Sequence, residues 1–378
     1  MASRVNVKFV VILAVALAAV GGSAIFAYFS LVMKSGEDYE QLGDEAMAAG
    51  DPVEAATFYS KAVAHDQTNT EWLEKWIDAM GSWTPETRPR YIDEFNRNYV
   101  GAIRQLAQVQ RTNIDAQDRY LSLIFERAAL NGFSRGAVAG IERAVESATA
   151  PFEVDPGADP EWNRLRRYRG VAIARLGGSI GRLPPEESDL AEEDLRAVLR
   201  VDPADGESAV ALCELLDQRR RLAERDRRSR DAEEIAAQIE EIQAQTLEAD
   251  PDDAWMLVRD LAYQIQRSLN DIRPASTGAG FSGELRRRLA RDYEPALADV
   301  ADTLGTLDPE QLPLRVLDTV RRLEQLLGVG SGTDQPSRYV QLLRNRVDTV
   351  SEDTRARFAL ARAVGNEGDL EAAIEDLE

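Results

Sequence analysis

From Leu42 to Ala62 the chain reads LGDEAMAAGDPVEAATFYSKA, and its small residues fall at fixed places: Gly43, Ala46, Gly50, Ala55 and Ala62, with the aromatic Tyr59 between the last two. Two helices packed antiparallel need small side chains where their backbones approach, large ones where they interlock, and a sharp turn between them. Gly50-Asp51-Pro52 supplies the turn: glycine ends one helix in the left-handed conformation, and proline is tolerated in the first turn of the next. The stretch therefore predicts a helical hairpin with a face that must be buried on a neighbour.

The arrangement returns. Beginning at Asp118 it gives Leu121, Ile124, Phe125 and Ala128, then Gly132 in the turn, then Ala137, Ile141 and Ala144. From Thr354 it gives Arg357, Leu360, Ala361 and Val364, then Gly368-Asp369, Ala373 and Leu377. This pattern resembles the tetratricopeptide repeat, a helix-turn-helix of about 34 residues with large, large and small side chains early in its first helix and small or aromatic ones in its second. Phe125 is larger than the pattern's small residue, and Gln67 stands where the first repeat would carry its closing proline. The resemblance implies an all-α fold, an α-solenoid of stacked hairpins.

Elsewhere the match is partial. Leu73, Trp76, Ile77 and Met80 suit one first helix, and Ala209, Leu212, Cys213 and Leu216 another. Ala191, Leu195, Val198 and Pro203 suit a second helix with its proline intact; Tyr168, Val171 and Ala172 would belong to its partner, with an inserted loop around GSIGRLPPEESD. Pro203 and Pro251 are 48 residues apart, longer than the usual repeat by about four helical turns, which predicts an elongated hairpin over 219–245. The expected organisation is repeats over 36–253, two of them elongated, a helical region of weak repeat character over 254–350, and the start of a further repeat over 354–378. Glu378 falls in the middle of that repeat's second helix, so a longer product is expected.

Ahead of the repeats, Phe9 to Met33 carries no charge and is closed by Lys8 and Lys34. About 20 apolar residues span a bilayer core, so 9–33 reads as one transmembrane signal-anchor helix. The alternative is a cleaved signal peptide with Gly22-Ser23-Ala24 as its site, which would leave IFAYFSLVM exposed at the new terminus. Arg4 and Lys8 keep residues 1–8 in the cytoplasm, while Glu37, Asp38 and Glu40 follow on the far side. The expected location is the bacterial cytoplasmic membrane, single-pass, with the bulk of the chain extracytoplasmic. Four of the 45 basic residues are lysine, an arginine-rich usage that points to a GC-rich bacterial genome. Ala14, Ala18 and Gly22 share one face of the span, a pattern that permits homo-oligomer contact in lipid.

One cysteine, Cys213, and one histidine, His65, exclude an internal disulfide, a Cys/His zinc site and a serine-histidine relay with a second histidine. There is no HExxH, no GxSxG and no glycine-rich phosphate loop, so no catalytic, cofactor-binding or metal residue is assigned and no cofactor is expected. A formal net charge of -21 argues against nucleic acid as a partner. Cys213 stands in an apolar stripe and reads as core, and His65 suits a helix C-terminus. The arginine-rich runs RLRRYR and DQRRRLAERDRRSRDAEE read as solvated helix faces laced with ion pairs.

What remains is binding. The resemblance implies that first-helix side chains line the groove that holds a partner. In the first repeat these are Glu37, Glu40, Gln41 and Asp44; in the second, Arg119, Ser122, Leu123 and Glu126. The first set is acidic, which favours a basic or apolar peptide over an acidic one. Trp72 and Trp83 are candidate interface aromatics. The sequence thus reads as a membrane-anchored, non-catalytic scaffold for protein-protein interaction in the cell envelope. The alternatives are an anchored stalk for an enzymatic or sensor domain beyond residue 378, and an envelope glycan- or lipid-binding protein.

Overall fold

A computed structural model describes residues 34–82, 92–154, 160–180, 183–272, 283–310, 312–329, 337–350 and 353–367. Among these residues there is no strand; the chain is a succession of helices, most of which pack on the next within their unit. They fall into two compact units, Met1–Leu130 with Glu146–Ala158, and Asn131–Val145 with Asp159–Glu378.

In the first unit, α1 (Gly36–Ala48) and α2 (Pro52–His65) form the hairpin that the opening stretch predicts. Ser35 and Asp38 cap α1 reciprocally, Gly50 turns the chain at φ 79°, and Asp51 accepts from the backbone N–H of Glu54 at 2.9 Å to start α2. The small residues are needed where the helices meet. Ala55 and Ala62 are fully buried, and a Cβ at Gly43 would lie 2.4 Å from the Tyr59 ring. The core continues through α3 (Thr70–Gly81), α4 (Ile92–Val109) and α5 (Ile114–Leu130).

The second match needs a shift of one residue. Gly132 adopts φ 78° as expected, but along α6 (Arg135–Glu153) the buried positions are Val138, Ile141, Val145 and Ala148, while Ala137 and Ala144 are half-buried. The larger valines cover more apolar area than the flanking alanines, so they turn inward.

After Asn131–Val145, the second unit goes on with a 3-10 segment, Pro160–Arg166, then α7 (Arg167–Ile180), α8 (Pro185–Val201), α9 (Gly206–Arg225) and α10 (Ser229–Ala249). Then come α11 (Ala254–Ile272), α12 (Gly283–Thr306), α13 (Leu314–Leu327), α14 (Arg338–Thr349) and α15 (Thr354–Glu367). The stretch GSIGRLPPEESD is not an inserted loop: α7 runs to Ile180, α8 starts at Pro185, and Leu183 between them packs on Gly177. The elongated hairpin is present as α9 and α10, 20 and 21 residues long, joined by a three-residue turn with Arg227 at φ 60°. Ala191, Leu195 and Val198 are buried, and Leu195 rests on Gly170, where a Cβ would lie 2.8 Å from its Cγ. Pro203 follows α8 on the surface. Helices α7, α9, α11 and α13 each touch the next of the four, forming one layer of first helices.

Among the described residues no helix is long and apolar enough to cross a membrane. The run 9–33 lies outside them, as do Trp83, Gly368 and Ala373.

Candidate functional site

The three acids of the first-repeat set do not all stand free. Lys75, from α3, reaches Glu40 at 2.6 Å and Asp44 at 3.1 Å, with Glu71 at 3.5 Å. Trp72 donates its indole N–H to Glu40 at 2.8 Å, and the Tyr59 hydroxyl donates to Asp44 at 2.7 Å. The Lys75 bond holds the Glu40 carboxyl below its ordinary range. Burial, reinforced by the bond to Asp44, pushes the Tyr59 hydroxyl far up. Burial opposes the charge on Lys75, but its two carboxylate bonds prevail and raise its pKa. The predicted acidic face is therefore half neutralised by one cation from the following helix. Glu37 remains exposed, and Gln41 bonds Glu45 within its own helix.

Trp72 is a core residue rather than an interface anchor. It is 7% exposed, and Gly36 is kept bare by it: a Cβ there would lie 2.3 Å from its ring. In the second repeat Arg119 faces Asp78 at 3.5 Å, Ser122 lies 3.4 Å from Glu126, and Leu123 packs against the core. Cys213 is buried, and burial pushes its thiol up to about 11, so it is inert packing. His65 is exposed in the last turn of α2, 5.8 Å from the Tyr39 ring.

The arginine-rich runs divide. Along α9 and α10, Arg220 pairs with Asp217 and Glu224, Arg221 with Asp217, and Arg230 with Glu234, as solvated helix faces do. In RLRRYR, by contrast, Arg169 is buried and grips the fully buried Asp194 of α8 with two bonds, 2.6 and 2.8 Å.

A second surface lies on the first-helix layer of the second unit. Arg175 of α7 sits 5.4 Å over the Trp255 ring of α11 and binds Glu214 of α9 at 2.7 Å. Arg259 of α11 lies 5.7 Å over Tyr263, one turn along. Arg315 of α13 lies 5.4 Å over Phe133. Glu207 of α9 stands among Arg175, Arg167 and Arg315, and its burial raises its carboxyl pKa. Burial, with Arg175 nearby, lowers that of Arg315. Only the Arg259–Tyr263 spacing of four was visible in the chain. The pairings of residue 175 with 255 and of 133 with 315 have no local signal.

No family model and no curated protein matches the chain. Solved structures do resemble it, distantly. A crystal structure of MamA is 15% identical, with 58% of this chain and 93% of that one covered at a TM-score of 0.35. The human IFIT1 dimer with m7Gppp-AAAA is 13% identical over 91% and 71%, at 0.37. The P58(IPK) TPR domain is 13% identical over 90% and 91%, at 0.22. Likenesses this remote carry no argument about activity. The fold rests on the hairpins themselves, with their left-handed glycines and small buried contacts. Among the described residues no group of three or more His, Cys, Asp or Glu side chains is placed to hold a metal.

Proposed function

We propose that this protein is a membrane-anchored helical-repeat scaffold of the bacterial cell envelope, which holds another protein on its first helices and performs no chemistry of its own. The observation that carries the reading is the layer of α7, α9, α11 and α13. Its charged and aromatic side chains, among them Glu207, Glu214, Trp255 and Arg315, cluster around Arg175, while apolar side chains of the same helices, such as Leu212 and Leu261, join the core. Side chains so placed are available to a partner. The anchor rests on the uncharged run 9–33 and the cytoplasmic placement of residues 1–8 on flanking charge.

Two measurements test this. Carbonate extraction should leave the full chain in the membrane fraction; a soluble product beginning at Ile25 would make 9–33 a cleaved signal. Photocrosslinkers placed in cells at Glu207 and Arg315, on first helices, should trap a protein that the same group at Glu240, on the second helix α10, does not. Trapping of glycan or lipid instead, or equal trapping from both faces, would overturn the scaffold reading.

A further inference from the structure

We infer that the outer face of the first hairpin, formed by Tyr39, Leu42, Phe58, Lys61 and His65, is seated on the lipid headgroups of the bilayer that anchors the chain. This seating rests on the anchor reading of residues 9–33 and adds how the first repeat lies against the membrane.

Helices α1 and α2 stand at the end of the described array, with α3 packed on one side of them and no described helix before them. An end of that kind is normally closed by polar side chains, because nothing else shields it from water. Here it is aromatic. Tyr39 and Phe58 are half-buried, each with one side against the core of the unit, and Leu42 lies one turn beyond Tyr39 on the same flank of α1. Lys61 lies over both rings, its Nζ 5.5 Å from each centroid, and His65 is 5.8 Å from the Tyr39 ring. Phe58, Lys61 and His65 recur at helical spacing along α2, so two helices share the face. Aromatic rings with a polar tip, beside a lysine whose stem is apolar and whose ammonium reaches outward, are side chains that settle at the headgroup level of a bilayer.

The length of the connection decides the occupant. From Met33, the last residue of the uncharged run, to Gly36, the first of α1, the chain can reach at most about 10 Å. The headgroup layer of one leaflet is itself roughly 6 Å deep, so the start of α1 cannot stand clear of it. Because the hairpin is antiparallel, His65 at the end of α2 lies at that same end, as its contact with Tyr39 shows. Lysine points to the same place: Lys8 and Lys34 bracket the run and Lys61 is on this face, in a chain whose other basic residues, Lys75 apart, are all arginine. Several acids nearby are engaged. Asp38 accepts from the Ser35 N–H at 2.7 Å, Asp66 from the Thr68 hydroxyl at 2.7 Å, and Glu40 from Lys75. Glu37 and Glu54 stay exposed, so partition of the rings rather than attraction to anionic lipid sets the contact.

The test uses the full chain with Cys213→Ala, reconstituted in phosphatidylcholine vesicles that carry a nitroxide on some headgroups. A fluorophore is placed on a single new cysteine, either Glu54→Cys on the face or Glu74→Cys on α3, where Glu74 bonds Gln110 on the far side. Position 54 is about 16 Å along α2 from His65, so a hairpin merely tethered by its near end would keep this label in water. Quenching at 54 should exceed that at 74 by at least about threefold. Phe58→Glu with Lys61→Glu should bring the two labels level at unchanged melting temperature. Lys61→Glu alone, at an exposed site, should remove about half of the difference, and Lys61→Arg none of it. Equal quenching of the two labels without these changes, or indifference of position 54 to Lys61→Glu, would overturn the seating. A label at 54 that is shielded from aqueous iodide yet untouched by the lipid nitroxide would overturn it in favour of a second copy of the chain on this face. Release of the chain from the vesicles by carbonate would remove the anchor and the seat together, whereas a retained chain with level labels loses the seat alone.

Discussion

At the scale of single residues, the fold depends on side chains that are absent or small. Gly43→Ala would drive a methyl into the Tyr59 ring, at 2.4 Å, and Ala55→Leu or Ala62→Leu would overfill sites with no exposed surface. Each should cost about 1–3 kcal/mol in denaturant unfolding; a wild-type midpoint would mean that α1 and α2 are not packed as described. Asp253 carries a pH dependence. Burial, aided by Asp250 and Asp205 and opposed by the bond from the Met256 N–H at 2.6 Å, raises its pKa to about 6 from an ordinary 3.8. The folded state therefore holds this proton more tightly than the unfolded chain. Its stabilising effect is complete below about pH 4 and is lost as pH rises through about 6. Asp253→Asn keeps an acceptor for the cap and should flatten stability between pH 4 and 6, measured as unfolding midpoint against pH.

At the scale of helices, long-range polar contacts hold elements that local pattern leaves loose. Asp194 and Arg169 tie α8 to α7 from inside the core, so removing either partner alone leaves a buried charge and should cost about 3–5 kcal/mol. Replacing both with apolar residues of similar volume should restore most of it, and a double-mutant cycle on unfolding free energies measures the difference. Glu324 of α13, 4% exposed, accepts from the backbone N–H groups of Arg338 and Tyr339 and so starts α14 from a neighbouring helix. Glu324→Ala should destabilise that hairpin by about 1–3 kcal/mol, read as faster amide exchange confined to 338–349. Arg346 closes the other end, bonding Asp353 and the carbonyls of Pro309 and Leu312.

At the scale of the whole molecule, the main helix contacts reach one or two places along the chain and no further, and the helices gather into two units. In such an array a local defect weakens its neighbours first. Ala62→Leu should speed hydrogen exchange across 36–82 while leaving α9 to α11 at wild-type protection; uniform acceleration over both regions would show that the chain unfolds as one body.

The chain itself determined the hairpins. Gly50 and Gly132 mark turns, Ala55, Tyr59 and Ala62 mark a close contact, and the 48-residue spacing foretold the long α9 and α10, because backbone sterics and helical period act within a few residues. The stretch GSIGRLPPEESD misled because its glycines and prolines are turn formers by composition, whereas α7 runs through Gly178 to Ile180 and α8 already starts at Pro185, where proline is tolerated in a first turn. Trp72 looked like an anchor because an aromatic has the same symbol buried or exposed. The tertiary structure alone decided the charges. Whether Glu40 and Asp44 repel or are satisfied turns on Lys75, 35 and 31 residues away. Whether Arg315 is a solvated cation or part of a stacked face turns on Phe133, far earlier in the chain. Charges act through space over several ångströms and take their meaning from what folding brings near them.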